Sequence, residues 1–284
     1  MKLFSFTRAG AAGFGAVVGT DDVVDLGAAF EGRYADLKAL LEGNGVAEAQ
    51  AIVAKAKPDF KLADVAFLPV IPNPGKIWCC GLNYGEHVRE TNREISEQPT
   101  FFLRVGDSQV GHDQPMLRPV ESTQLDYEAE IALVIGKAGR RISEADSWSH
   151  IAGYSCYNDG SVRDWQRHTP QWGPGKNFYR TGGFGPWMVT SDEIEDNASL
   201  SLVTRLNGQE MQRATTLMML HSIPRQIAYL STIAPLQPGD VIVTGTPGGV
   251  GARRTPPVWM KPGDVVEIEV GQVGTLRNTI EDDR

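Results

Sequence analysis

Apolar residues run in short stretches along this chain, and the breaks between them fall at glycine, proline and aspartate. Residues 2–6 (KLFSF), 15–19 (GAVVG) and 22–26 (DVVDL) are strand candidates of that kind. Residues 33–43 (RYADLKALLEG) and 45–57 (GVAEAQAIVAKAK) carry helical spacing instead, the first ending at Gly43. Three prolines then crowd residues 65–76 (VAFLPVIPNPGK), which reads as a linker between a small N-terminal unit, 1–70, and a larger part, 71–284. Beyond it the runs IALVIG, PWMVT, LSLVTRLNG, DVIVTG and DVVEIEV set an all-β rhythm. Asn-Gly inside RLNGQEM predicts a hairpin. One helix is predicted over SIPRQIAYLSTI, where Pro224 suits the first turn. The pattern as a whole predicts a mostly β, α+β protein.

One run departs from the plain apolar pattern. Residues 125–136, LDYEAEIALVIG, carry Glu128 and Glu130 into what reads as a buried strand. Strand side chains alternate faces, so the two glutamates share one, roughly 6.6–6.8 Å apart along the backbone, and Asp126 falls on the same face. Like charges entering a desolvated layer repel, and each carries a burial cost of several kcal/mol. Either a cation sits there or the face is open to water.

Composition narrows the classes. A chain of 284 residues with 41% apolar content has ample material for a core. A net charge of −8 argues against nucleic acid as a partner. No apolar run reaches the length of a membrane span. The opening MKLFSFTRAGAAGFGAVVG has no sustained apolar core and reads as a first strand and turn, not a signal peptide. Cys79, Cys80 and Cys156 offer no disulfide framework and no zinc spacing, which points to a reducing cytoplasm.

Several residues carry candidate chemistry. Asp159, in GYSCYNDGSVRDWQ, stands at a predicted strand end. Alone it reads as a turn residue; with Glu128 and Glu130 it completes a three-carboxylate set suited to Mg²⁺, Mn²⁺ or Ca²⁺. The alternative is an open sheet face with basic partners. His87 and Glu90 are three apart, so on a helix they share a face, as a water-activating base and its orienting acid or as an ordinary surface ion pair. Lys176 lies in GPGKNF, which reads as a loop. VTGTPGGVG lacks the Lys-Ser/Thr ending of a P-loop; its Thr244 and Thr246, with backbone N–H groups, could hold a carboxylate.

Five segments stand in order: KIWCCGLNYGEHVRE, LDYEAEIALVIG, GYSCYNDGSVRDWQ, GKNFYRTGGFGPWMVT and GDVIVTGTPGG. Together, across about residues 70–280, they resemble the fumarylacetoacetate hydrolase family, in its smaller acylpyruvate-hydrolase-like bacterial branch. The resemblance implies a mixed β-roll catalytic domain with a small N-terminal α/β domain, usually as a homodimer. It implies Glu128, Glu130 and Asp159 as metal ligands and His87 with Glu90 as the dyad that activates water. It implies Arg163 and Gln166 beside the substrate, Lys176 stabilising oxyanion charge, and Thr246 gripping the substrate carboxylate, with Asp126 outside the ligand set. Two positions depart: Arg104-Val105 stands where many relatives carry Lys-Pro, and Leu82 where some carry Arg, both near the region expected to meet the substrate's distal end.

The implied activity is metal-dependent cleavage of the C3–C4 bond of a small anionic 2,4-dioxo acid, such as fumarylpyruvate or maleylpyruvate, to pyruvate and a carboxylic acid. The polar stretch 85–98 is expected to act as a lid. Rival readings are an oxaloacetate decarboxylase, a 2-oxo-enoate hydratase or tautomerase, and a non-catalytic cation-binding β domain.

Overall fold

The computed structural model describes residues 1–284 and is mostly β. In chain order the main strands are β1 (Lys2–Arg8), β2 (Ala11–Val18), β3 (Asp22–Asp25), β4 (Phe60–Lys61), β5 (Ile77–Gly81), β6 (Thr100–Arg104), β7 (Ala129–Ile135), β8 (Ile151–Asn158), β9 (Gly182–Thr190), β10 (Ser201–Leu206), β11 (Gln209–Thr215), β12 (Val241–Val243), β13 (Val265–Val270) and β14 (Gly274–Asp282). The helices that matter are α1 (Leu37–Glu42), α2 (Val46–Val53), α3 (Gly85–Glu90) and α4 (Ile223–Ile233).

A 12-stranded sheet runs β4-β3-β2-β1-β9-β8-β7-β12-β5-β6, with two short strands off that path. It is mixed: β7 pairs antiparallel with both neighbours, and β12 pairs parallel with β5. The second sheet has five strands, β11-β10-β13-β14 and the short strand Met116–Arg118. Residues 1–70 join the large sheet directly, since β1 pairs with β9 through Lys2↔Val189 and Leu3↔Met188.

β7 shows why the apolar run is continuous. Ile131, Leu133 and Ile135 enter the core between the two sheets, with Leu202, Ile268 and Leu276 from the second sheet and Ile227 and Leu230 from α4. Ala132 and Val134 point the other way, into a core with Leu37, Leu40 and Leu41 of α1. A strand covered on both faces must be apolar at every position. The predicted hairpin forms between β10 and β11, with Asn207 (φ 51°) and Gly208 (φ 78°) at its turn. This is the left-handed pair that a two-residue loop matching strand twist requires. The predicted helix forms as α4, where the Ser222 side chain accepts from the Arg225 N–H and Pro224 sits in the first turn. No helix is long and apolar enough to cross a membrane.

Candidate metal and catalytic site

The segment 125–136 is not one strand. Leu125–Asp126 pairs with Ser161–Val162, residues 127 and 128 leave the ladder, and β7 begins at Ala129. The break has a local cause. Asp126 draws its carboxylate into the N–H groups of Tyr127, Gly251 and Ala252, and the Glu128 N–H turns to the Asn158 side chain at 3.0 Å. The ladder is broken, but Asp126 still lies beside Glu128, since one Arg163 guanidinium reaches both carboxylates. Asp126 also organises the loop at Gly251.

Glu128, Glu130 and Asp159 do converge. Ligand oxygens of the three lie within 4.8 Å of one another, and all three are buried. β8 ends at Asn158, and the Asp159 N–H donates to the Glu128 carbonyl at 2.9 Å, which fixes the two acids relative to one another. The Lys176 ammonium bridges Glu128 Oε2 at 2.7 Å and Asp159 Oδ2 at 2.6 Å. The sequence reads Lys176 as a loop residue. It closes a one-turn helix, Gly173–Lys176, because Pro174 presets the first turn and the buried ammonium anchors the last. Arg163 places Nε 2.8 Å from Asp126 Oδ2 and Nη2 2.6 Å from Glu128 Oε1, and its Nη1 donates to Gln166 Oε1.

The glycine-rich loop after β12 holds carboxylates, but they are the protein's own. The Gly245 N–H donates to Glu130 Oε2 at 2.5 Å, and the Gly249 N–H to Glu90 Oε2 at 2.9 Å. Gly245 adopts φ 104°, and a Cβ there would lie 2.6 Å from the Asn83 Cβ, so glycine is required. Thr244 turns its hydroxyl to the Ile131 carbonyl and is spent in the sheet. Thr246 accepts from Gln212 Nε2 at 2.9 Å, which leaves its own hydroxyl hydrogen free to donate.

His87 lies on α3 with Nδ1 2.7 Å from Glu90 Oε1. A carboxylate at that distance takes the Nδ1–H, so Nε2 keeps its lone pair as a base. Since Glu90's other oxygen is held by Gly249, the imidazole is oriented from behind. His87, Glu128, Glu130, Arg163, Gln166, Lys176 and Thr246 line one cavity of about 440 Å³, together with Leu82. Arg104 does not line it. It is buried against Asp159, with Nη1 2.5 Å from Oδ1 and further bonds to the Gly160 carbonyl and Thr181 hydroxyl. That corrects the expectation that Arg104 lies near the substrate's distal end: a guanidinium closing β6 finds its partners inside the protein.

The charges do not balance evenly. Burial pushes the Glu128 carboxyl up, but Arg163 and Lys176 outweigh it and hold this group well below the usual range. Burial likewise opposes the Lys176 charge, and Asp159 and Glu128 more than restore it, so it stays an ammonium. Glu130 has no such partner. Burial, then Asp159 and Glu128, drive its carboxyl well above the usual range, with only Lys176 and the Gly245 N–H opposing. A buried carboxylate beside two others and without a direct ion pair demands a proton or a cation. An oxygen-only donor set of this charge fits a hard divalent ion, and these three residues would hold it.

Two positioning residues escape the sequence. Gln212, on β11, accepts from the Ala129 N–H and Thr204 hydroxyl and donates to Thr246 and the Pro247 carbonyl, so it ties β7 to the glycine loop. Nothing in its local pattern marks it. Arg104 left a faint signal, as the charge ending the apolar run TFFLR.

Residues 76–281 match the family model described as fumarylacetoacetate (FAA) hydrolase C-terminal. The chain is 41% identical over 220 residues to oxaloacetate tautomerase fahd2, mitochondrial, of Xenopus laevis, covering 77% of this chain and 69% of that protein. It is 37% identical over 234 residues to the human oxaloacetate tautomerase FAHD2A, mitochondrial, covering 82% and 74%. Among solved structures it matches a fumarylacetoacetate hydrolase from the psychrophile Exiguobacterium antarcticum, with TM-score 0.83, 32% identity and both chains fully covered. It also matches maleylpyruvate hydrolase from Sphingobium sp. SYK-6 in complex with manganese(II) ion and pyruvate, with TM-score 0.83, 29% identity and both chains fully covered.

Proposed function

Since the chain belongs to the fumarylacetoacetate hydrolase family, we propose that it is a divalent-metal-dependent hydrolase that cleaves the C3–C4 bond of a 2,4-dioxo acid to pyruvate and a carboxylic acid. The observation that carries this reading is a base beside an acid triad: His87, backed by Glu90 at 2.7 Å, lines the same cavity as Glu128 and Glu130, and Asp159 completes their cluster within 4.8 Å. A merely cation-binding domain has no use for the oriented imidazole.

Glu128, Glu130 and Asp159 would hold Mg²⁺ or Mn²⁺, and the bound ion would polarise the 2-keto group as a Lewis acid. The Thr246 hydroxyl is free to donate to the substrate carboxylate. His87 Nε2 accepts a proton from water as its oxygen adds to C4. Two hydrogens of the Lys176 ammonium are committed to Glu128 and Asp159; the third, with the Gln166 amide, is available to the oxyanion. When C3–C4 breaks, the electron pair moves into the pyruvate enolate, and the proton held on His87 goes to C3.

A second reading is favoured by the relatives named as oxaloacetate tautomerases. The same His87 base can move a proton at C3 without activating water. A panel of 2,4-dioxo acids and enol oxaloacetate separates the two. Pyruvate release, followed with lactate dehydrogenase and abolished by chelator, supports hydrolysis. Loss of enol absorbance with no pyruvate from any dioxo acid supports the tautomerase.

The homodimer belongs to the same proposal: Leu103, Val105 and Tyr179 are exposed around Asn177, which bonds to the backbone of both 103 and 105. A reducing compartment does too, since the three cysteines are free and buried.

A further inference from the structure

β11 turns one amide inward beside the glycine loop. The β10–β11 register shifts between Thr204, opposite Gln212, and Arg205, opposite Glu210, so Met211 is an extra residue in the ladder. Such a bulge re-aims the side chains beside it, and here Met211 and Gln212 are both buried although they are consecutive. The Gln212 amide uses every hydrogen-bonding position it has. Oε1 accepts from the Ala129 N–H at 3.0 Å and from the Thr204 hydroxyl at 2.6 Å. Nε2 donates to Thr246 Oγ1 at 2.9 Å and to the Pro247 carbonyl at 2.9 Å. Two of these four partners are backbone groups, and a backbone N–H only donates while a carbonyl only accepts. They leave the amide a single orientation, with its hydrogens on the side of the loop. β12 pairs with β7 only over Ala132–Val134, so at Ala129, between Glu128 and Glu130, a side chain receives the N–H where no strand does.

Resting on the hydrolase reading, in which Thr246 donates to the substrate carboxylate, we infer that Gln212 is the positioning residue that aims this hydroxyl. Gln212 itself does not line the cavity; Thr246 does. A threonine hydroxyl both donates and accepts, and its hydrogen rotates to suit its neighbours. With an N–H directed at Oγ1, the hydroxyl hydrogen cannot point back at Gln212, and no other group of the protein accepts it. The opposite amide orientation would make Thr246 the donor to Gln212 and hide that hydrogen from a ligand. The same amide ties the hydroxyl to the backbone between the two glutamates, so the donor and the acids stand at a spacing set by one buried planar group. A 2-oxo acid then meets a hydroxyl already turned, and binding does not have to order it.

The test is a double-mutant cycle on pyruvate binding, by calorimetry, with the full chain saturated in Mn²⁺. T246V should weaken pyruvate binding by about 10- to 100-fold, the range for one hydrogen bond to a charged group. Q212M, close in volume but without the amide, should weaken it by about 3- to 10-fold, because the hydroxyl is then free to turn away. Adding Q212M to T246V should cost nothing further, since the group through which Gln212 acts is gone. A purely structural role would make the two losses multiply. Multiplied losses, or a Q212M or T246V protein that binds pyruvate as wild type does, overturn the inference and leave the hydrolase reading standing. Should Q212M not fold, neutron diffraction of wild-type crystals after deuterium exchange reads the same point: a Thr246 deuterium directed into the cavity is expected, and one directed at Gln212 overturns the inference. If wild-type protein that binds Mn²⁺ takes up no pyruvate, the 2-oxo acid reading itself fails and takes this role of Gln212 with it.

Discussion

Replacing Lys176 by methionine removes the ammonium that bridges Glu128 and Asp159 at 2.7 and 2.6 Å, from a position where all three side chains are at most 5% exposed. Breaking a buried ion pair by deleting one partner costs about 3–5 kcal/mol, since it strands charge in a low dielectric. The lower end applies here. Arg163 still faces Glu128 Oε1, Arg104 still holds Asp159 Oδ1, and methionine refills most of the volume. A loss of about 3 kcal/mol, set against roughly 2.1 cal/mol/K per residue of unfolding entropy over this length, lowers Tm by about 5 °C. The assay is thermal melting followed by circular dichroism, wild type against K176M, in EDTA and then in excess Mn²⁺. In EDTA the full gap should appear. With Mn²⁺ it should shrink below about 2 °C, because the ion no longer competes with an ammonium for the acids of K176M: binding about a hundredfold tighter than in wild type returns about 2.7 kcal/mol to the variant. A gap near zero in EDTA, or one that Mn²⁺ leaves unchanged, would refute both the electrostatic ledger and the metal assignment.

H87A should lower hydrolysis by about 10²- to 10⁴-fold with little change in Tm, and E90Q by less, measured as pyruvate release. R104M, which touches no cavity surface, should weaken Mn²⁺ binding by about 10- to 100-fold through loss of the hold on Asp159; titration by calorimetry checks this, and R104K should recover part of it. Burial, opposed by Asp113 and aided by Arg277, holds the His112 imidazole below its ordinary range, and its Nδ1 accepts the Arg277 N–H at 3.0 Å. Because the folded pKa is depressed, the unfolded chain binds more protons below pH of about 6.5, so stability is full above that pH and falls on acidification. Melting curves from pH 7.5 to 5.5 should show a shallower loss in H112N than in wild type.

Much of the fold can be read from the chain because its signals are local. Period-two alternation, proline in a first helical turn, Asn-Gly at a hairpin and a doubly apolar β7 each depend on neighbours within a few residues, so they survive without tertiary context. The acid triad, His87 with Glu90, and Lys176 were also legible, the first from charge placed where burial forbids it and the rest from linked motifs. The alternation argument also set Asp126 beside Glu128, where one Arg163 guanidinium reaches both. It could not show the break in the ladder at 127–128, where Asp126 accepts from the Gly251 and Ala252 N–H groups, 125 and 126 residues away.

Only the tertiary structure decided who neutralises whom. Arg104 reaches Asp159 across 55 residues, Gln212 reaches Ala129 across 83, and Gly245 reaches Glu130 across 115. It also separated Arg104, spent inside, from Arg167 and Arg253, which line the cavity, although one chain position looks much like another to a sequence pattern. The reason is physical: periodicity fixes which face a residue takes, but a buried charge is settled by whichever opposite group the packed chain brings within about 3 Å, and that distance exists only after folding.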